Sequence, residues 1–340
     1  MNMKNITAVL IDVQPVERKI HLKETNASLS TQVLNKPLLD HHLEAHQAAG
    51  VQKQLVLSGR EDFTSFRSSG AAFKAGVSFK EALIAADLDN EHYIFIPANV
   101  FLHFDLEYFA KAHIESGRDI SRVSPLGKIK NMPLSYFDPI ILSHAVMVDL
   151  FTQVSQLSLD TLRVYLNQKS DAQKVPTHMI TSALSSPAQI WKLHQKLHQM
   201  GLSKLSPVGF PYQENLWANL NASIHASTIN EDLVIAGKNV VIKAGVTFKG
   251  LVVLGNNVVI ESGAIIENSI IEAGTYVGKT TRIENSVVRK NRLHRIDRGI
   301  SLDISEKQIL GRTRLSARLF NRETPRTKNR IMDWQMVQPG

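Results

Sequence analysis

Residues 235–288 read IAGKNV VIKAGV TFKGLV VLGNNV VIESGA IIENSI IEAGTY VGKTTR IENSVV, a chain that can be written in sixes. The first column, Ile235, Val241, Thr247, Val253, Val259, Ile265, Ile271, Val277 and Ile283, is apolar and mostly β-branched at every step except Thr247. Ordinary strand alternation has a period of two and singles out no sixth residue. The positions just before these, Val240, Val246, Val252, Val258, Ala264, Ile270, Tyr276 and Val288, are mostly apolar too, with Arg282 breaking the series. Between the pairs stand small or polar residues suited to tight bends, among them Gly237, Asn239, Gly245, Asn257, Gly263, Ser269 and Thr275.

Short strands with β-branched residues inside and bends between them describe a solenoid, because each coil covers only half of its own apolar face and must stack to bury it. Ile229 is in register and Ile224 lies just outside it, which sets the expected span of the repeat at 221–292. A β-sandwich with accidental periodicity is the alternative. The pattern resembles the hexapeptide-repeat family. That resemblance implies a left-handed parallel β-helix with three hexapeptides per coil, a handedness that the spacing itself does not give.

A chain of 340 residues is long enough for two domains. It contains no cysteine, which excludes a disulfide framework, a thiolate zinc site and a cysteine nucleophile. Met1 to Val13 holds one short apolar strand without a signal-peptide pattern, and no apolar run approaches the roughly twenty residues of a membrane span. These features predict a soluble, cytoplasmic protein. The net charge of +8 is concentrated: from Arg289 to Arg330 there are 13 basic against 4 acidic residues, so the rest of the chain is close to neutral. Whatever the charge binds, it binds through the C-terminal segment.

Ahead of the repeat, Ile6–Val13, Gln54–Ser58 and Tyr93–Pro97 read as strands, and 36–50 and Leu106–Ser116 as helices stopped by Gly50 and Gly117. Strands alternating with helices predict a mostly parallel sheet with helices on both faces, a Rossmann-like α/β domain. The expected organisation is an α/β domain over 1–205, a linker over 206–220 marked by Pro207, Gly209 and Pro211, the β-helix over 221–292, and a basic tail over 293–340.

Two stretches carry a second resemblance. Asn35-Lys36-Pro37-Leu38-Leu39-Asp40-His41, continuing through Leu43-Glu44-Ala45 to Ala49-Gly50-Val51, is similar to the lysine-proline turn and following helix of the sugar-1-phosphate nucleotidylyltransferases, or nucleotide-sugar pyrophosphorylases. Tyr93-Ile94-Phe95-Ile96 followed by Ala98-Asn99 falls where that family has a strand ending in glycine-aspartate. Several of its members also place a hexapeptide β-helix behind the catalytic domain. The resemblance implies a nucleotidyltransferase-type fold, a nucleotide or nucleotide-sugar ligand, and a setting in surface polysaccharide synthesis.

Departures from the family pattern are as informative. Its glycine-rich phosphate loop becomes Gln14-Pro15-Val16-Glu17-Arg18-Lys19-Ile20-His21, in which only Arg18 survives. Both glycines are gone, Pro15 lacks an amide donor, and Glu17 sets a negative charge beside a triphosphate. The position that should hold magnesium is Asn99, whose amide oxygen can ligate the ion but brings no charge. Asp105 is placed as a helix N-cap. The phosphate-binding candidates are therefore Arg18 and Lys36, with Asn99 the candidate for Mg2+. The leading expectation is a pyrophosphorylase-like protein of weak or lost catalysis, with a binding, regulatory or scaffold role. Its rivals are an active nucleotidylyltransferase and a hexapeptide acyltransferase.

Other features rank lower. His194 and His198, at helical spacing, put both rings on one polar helix face without a third ligand. No histidine falls inside the repeat to act as an acyltransferase base; His225 precedes it and His294 follows it. The ends of the β-helix expose strand edges, so contact with the first domain or another subunit, as in an oligomer, is expected. The basic tail, with the short amphipathic run Arg314-Leu315-Ser316-Ala317-Arg318-Leu319-Phe320, resembles the segment ahead of the membrane portion of bacterial initiating sugar transferases. That likeness implies a peripheral contact at the inner face of the membrane or with a membrane protein. Nucleic acid is the competing ligand, although no aromatic stacking set accompanies the charge.

Overall fold

The computed structural model describes residues 5–12, 29–58, 71–75, 90–128, 132, 136–153, 164–165, 172–201 and 208–313. The chain divides into two compact units, Met1–Pro207 and Val208–Gly340.

The first unit runs β1 (Ile6–Asp12), β2 (Gln32–Val33), β3 (Lys36–Pro37), α1 (Leu38–Ala48), β4 (Lys53–Ser58), β5 (Ala71–Ala75), β6 (His92–Pro97) and β7 (Phe101–Phe104). It continues through α2 (Leu106–Ser116), β8 (Ile120–Pro125), β9 (Ile140–Ser143), α3 (His144–Gln153), β10 (Gln173–Thr177), β11 (Met179–Ser182) and α4 (Pro187–Gln199). Seven strands form one sheet in the order β10-β8-β9-β6-β1-β4-β5. The pairings β1–β4, β1–β6, β4–β5 and β8–β10 are parallel, while β9 runs against β6 and β8.

β1 reads ITAVLID and is buried at every residue because both faces of the sheet are covered. Ile6, Ala8 and Leu10 enter one core with Leu39 and Leu43 of α1 and with Leu106, Phe109 and Ala110 of α2. Val9 and Ile11, alternating to the other face, join Val146, Met147 and Leu150 of α3. This is the Rossmann-like arrangement. The chain passes from β1 to β4 and β5 on one side and returns to β6 on the other. That reversal creates a topological switch point at the C-terminal ends of β1 and β6, where open α/β sheets bind their ligands.

The second unit contains β12 (Phe210–Gln213), β13 (Leu216–Ala218), β14 (Ser223–Ile224), β15 (Ile229–Asn230), β16 (Val234–Ala236), β17 (Val241–Ile242), β18 (Thr247–Lys249), β19 (Val252–Leu254) and β20 (Val259–Ile260). It closes with β21 (Ile265–Glu267), β22 (Ile270–Ile271), β23 (Thr275–Val277), β24 (Arg282–Glu284), β25 (Ser286–Arg289), β26 (Arg292–Arg295), β27 (Ile300–Asp303) and β28 (Leu310–Arg312). The strands stack into three sheets, β12-β13-β16-β19-β22-β25-β26-β27, β14-β17-β20-β23-β28 and β15-β18-β21-β24. From β13 to β25 all the stacked pairs are parallel, which makes the unit a parallel β-helix.

The register differs from the one that counting in sixes gives. Residues 234, 236, 240, 242, 246, 248, 252, 254, 258, 260, 264 and 266 line the interior, so the first-column residues up to Ile265 alternate outward between them. From Ile271 onward the same column turns inward, and Ile271, Val277 and Ile283 join the core. The cause is a shortened corner. Ile235 pairs across to Val253, 18 residues on, through the register of β16 and β19, but Val253 pairs with Ile270, 17 residues on. Leu251 has no counterpart in the next coil, where Ser269 directly follows Asn268 and stands level with Val252. Ser269 and Ser286 are fully buried at that level, and the Ser286 N–H donates to Ser269 Oγ at 3.0 Å.

The sheets also extend past the repeat. Within 206–220, expected to be a linker, β12 and β13 form an antiparallel pair, and β13 joins β16 in parallel. Within 293–340, expected to be a tail, β26 and β27 continue the first sheet, and β28 lies antiparallel on β23. β13 stands 18 residues before β16 and repeats the coil, whereas β12, β26, β27 and β28 lie antiparallel over the ends and carry no period of six. Residues 314–340, including the amphipathic run and 6 of the 13 basic residues of the cluster, lie outside the described residues. Among the described residues, no helix is long and apolar enough to cross a membrane.

Candidate functional site

Lys36 sits in a hairpin, not in a helix. Val33 pairs with Lys36 and Gln32 with Pro37, across a two-residue turn in which Leu34 and Asn35 have φ of 50° and 61°. Two positive φ values in succession define the turn whose twist suits a tight hairpin, and the bulky Leu34 is strained there. Pro37 is the N-cap of α1. The Lys36 ammonium lies 2.5 Å from Glu44 Oε2, one side chain 7% exposed and the other 56%. The cation is thus withdrawn from solvent and neutralised by its own helix.

Histidines that the sequence left unassigned hold this region together. His41 donates from Nε2 to the Val33 carbonyl at 2.9 Å, and His42 from Nε2 to the Val100 carbonyl at 3.0 Å. Neighbours on α1 thereby tether the Lys36 hairpin and the turn after β6, which carries Asn99. His46 reaches Gln54 Oε1 at 3.3 Å. Burial is the main reason that His41 is pushed down to about 4, His42 to about 3 and His46 to about 4, so all three are neutral at pH 7. A fourth, His194, is buried as well. It takes the Leu34 N–H on Nε2 at 2.9 Å and donates from Nδ1 to the Ile190 carbonyl at 2.8 Å. This corrects the placement of His194 on a polar helix face: α4 turns the ring inward, and the pair with His198 is not a metal site.

The switch point holds a carboxylate that motif comparison missed. Asp12 ends β1, is fully buried, and aligns with Ser58 across β4. On the other side, Ala98 N–H donates to the Ile11 carbonyl at 2.8 Å, which sets Asn99 next to the end of β1. Asn99 is itself buried. One carboxylate and one neutral amide do not make a magnesium site by themselves, because hard cations need several charged or polar oxygens. Among the described residues, no cluster of three His, Asp or Glu side chains could hold a metal ion. Arg18 lies outside the described residues. Asp105 caps α2 by accepting the Tyr108 N–H at 2.8 Å, as its place before the helix predicts.

Beside the same elements lies a cavity of about 360 Å³, lined by residues including His41, Glu44, Phe101, His103 and Glu107. In the repeat unit, His225 pairs with Ser227 and His294 with Ser301, each through Nδ1 at 2.8 Å. Among the described residues, neither ring hydrogen-bonds an acidic side chain that would orient it as a general base.

Residues 212–315 match the family described as the GMPPB C-terminal domain, GMPPB being GDP-mannose pyrophosphorylase B. This match supports kinship with the nucleotide-sugar pyrophosphorylases at the coarse level, and the repeat unit alone carries it. No curated protein matches the chain.

Proposed function

We propose that this chain is a pyrophosphorylase-like protein of sugar-nucleotide or surface-polysaccharide metabolism that binds a nucleotide or nucleotide sugar and turns it over weakly or not at all. Its role is then that of a binding, regulatory or scaffold subunit. The observation that carries the reading is the withdrawal of Lys36 onto Glu44. A lysine that offsets transferred phosphates must present its ammonium to them, and here the charge is already neutralised and buried. Replacement of the family's loop glycines and metal aspartate points the same way.

One observation favours an active enzyme instead: Asp12 supplies, beside Asn99, the carboxylate that such a reading lacks in the motif. Calorimetry with nucleoside triphosphates and nucleotide sugars, alongside pyrophosphate release with sugar 1-phosphates, separates the two. Binding without turnover is expected. Pyrophosphate release abolished in both Lys36→Ala and Asp12→Asn would overturn the proposal and establish the enzyme.

A further inference from the structure

β27 ends the eight-stranded sheet of the repeat unit and is exposed along its whole length, with Ile300 at 46% and Leu302 at 48%. Its inner side is satisfied by β26, with Leu293 opposite Leu302 and Arg295 opposite Ile300. In the same register the Ile304 N–H donates to the Asn291 carbonyl at 2.8 Å. Antiparallel ladders bond alternate residues. Ile300, Leu302 and Ile304 therefore spend their backbone groups on β26, while Ser301 and Asp303 turn theirs to the edge that, among the described residues, no further strand pairs.

Proteins usually blunt such an edge with proline, lysine, a bulge or a cover. The opposite edge of this sheet is blunted: β12 carries Pro211, and its pairing shifts register between Pro211 and Gln213. β27 reads Ile-Ser-Leu-Asp; apart from its short length and the one charge of Asp303 it has none of these devices, with neither proline nor lysine and an unbroken pairing with β26.

We infer that β27 pairs antiparallel with β27 of a second copy of this chain, about a two-fold axis through Ser301. Residues directly opposite in a ladder face the same side, so the register must match side-chain faces. With Ser301 opposite Ser301 of the partner subunit, Ile300 meets Leu302 of the partner subunit, and Leu302 meets Ile300 of the partner subunit. A shift of one residue would set Ile300 against Asp303 of the partner subunit, with faces mismatched. The Ser301 register also brings Asp303 opposite Gly299 of the partner subunit and beside Arg298 of the partner subunit, opposite charges at the rim. Being isologous, the contact closes after two copies and leaves no growing edge. It is independent of the nucleotide reading.

The chain has no cysteine, so single introduced thiols report the register cleanly. Sedimentation of the full chain should show a dimer. Ser301→Cys should oxidise to a covalent dimer, since hydrogen-bonded antiparallel pairs hold their Cα atoms about 5.5 Å apart, within disulfide range. Leu302→Cys should cross-link poorly, because its mate is a different residue. The double variant Ile300→Lys/Leu302→Lys should weaken the dimer more than about tenfold. Ser301→Pro, which removes an outward donor and leaves the β26 ladder intact, should do the same if the lysine variant fails to fold. A monomer at all concentrations, a dimer indifferent to these changes, or equal cross-linking at Ser301 and Leu302 would overturn the inference.

Discussion

His194 accepts the backbone N–H of Leu34 on Nε2 at 2.9 Å, joining residues 160 positions apart. The Nδ1 proton, committed to the Ile190 carbonyl, fixes the tautomer that makes this possible. Leu34 is one of the two positive-φ residues of the Lys36 hairpin, so α4 holds a strained turn in place. Replacing His194 with Phe keeps ring volume but orphans a buried donor. The expected cost is about 1–3 kcal/mol in urea unfolding, with faster amide exchange at Leu34. Unchanged exchange there would mean that the hairpin stands without the clasp.

Acid should unfold the first unit early. His41, His42, His46 and His194 all have folded pKa values pushed below the ordinary 6.5, to about 4, 3, 4 and 4. Above pH 6.5 both states are neutral and nothing is lost. As pH falls from 6.5 towards 4 the unfolded chain takes up protons that the folded one refuses, so stability declines, by about 1.4 kcal/mol per pH unit for each such group. Urea midpoints should drop steeply between pH 7 and pH 5, and His46→Gln should flatten the slope. A flat profile over that window would contradict the buried-neutral assignment.

The solenoid was legible because a period of six survives in the side chains whichever way they point. Its register was not, because the first column and its flanking columns are equally apolar, and the missing counterpart of Leu251 in the following coil exchanges which of them faces inward. In the α/β unit the cap at Asp105 and the stop at Gly117, with φ of 61°, follow from local chemistry and could be read directly. The clasping histidines could not: they act through backbone carbonyls and amides, which leave no pattern of residue types. Asp12 escaped notice because a lone carboxylate at the end of an apolar strand matters only once the strand order makes that end the switch point.

Glu44→Gln probes the withdrawn lysine. With Glu44 half-exposed the ion pair is worth only about 0.5–1 kcal/mol, screened by salt, so stability should fall slightly. Freed of its counter-charge, Lys36 should raise affinity for pyrophosphate or a nucleoside triphosphate several-fold in calorimetry. No gain in affinity would place the phosphate subsite away from Lys36.

A corner of the β-helix separates two contributions that usually travel together. Asn221, Asn239 and Asn257 stack with φ between 55° and 59°; the Asn221 side-chain amide donates to Asn239 at 3.2 Å and that of Asn239 to Asn257 at 2.9 Å. Asn257→Gly keeps the left-handed backbone and loses the ladder; Asn257→Ala loses both. Alanine pays the steric cost of positive φ, about 1 kcal/mol, so it should be the more destabilising of the two by that amount. The glycine variant should still cost about 0.5–1 kcal/mol for the missing hydrogen bond. Equal urea midpoints for the two variants would show that the corner relaxes out of the left-handed region, and that the ladder alone, not the backbone conformation, selects asparagine there.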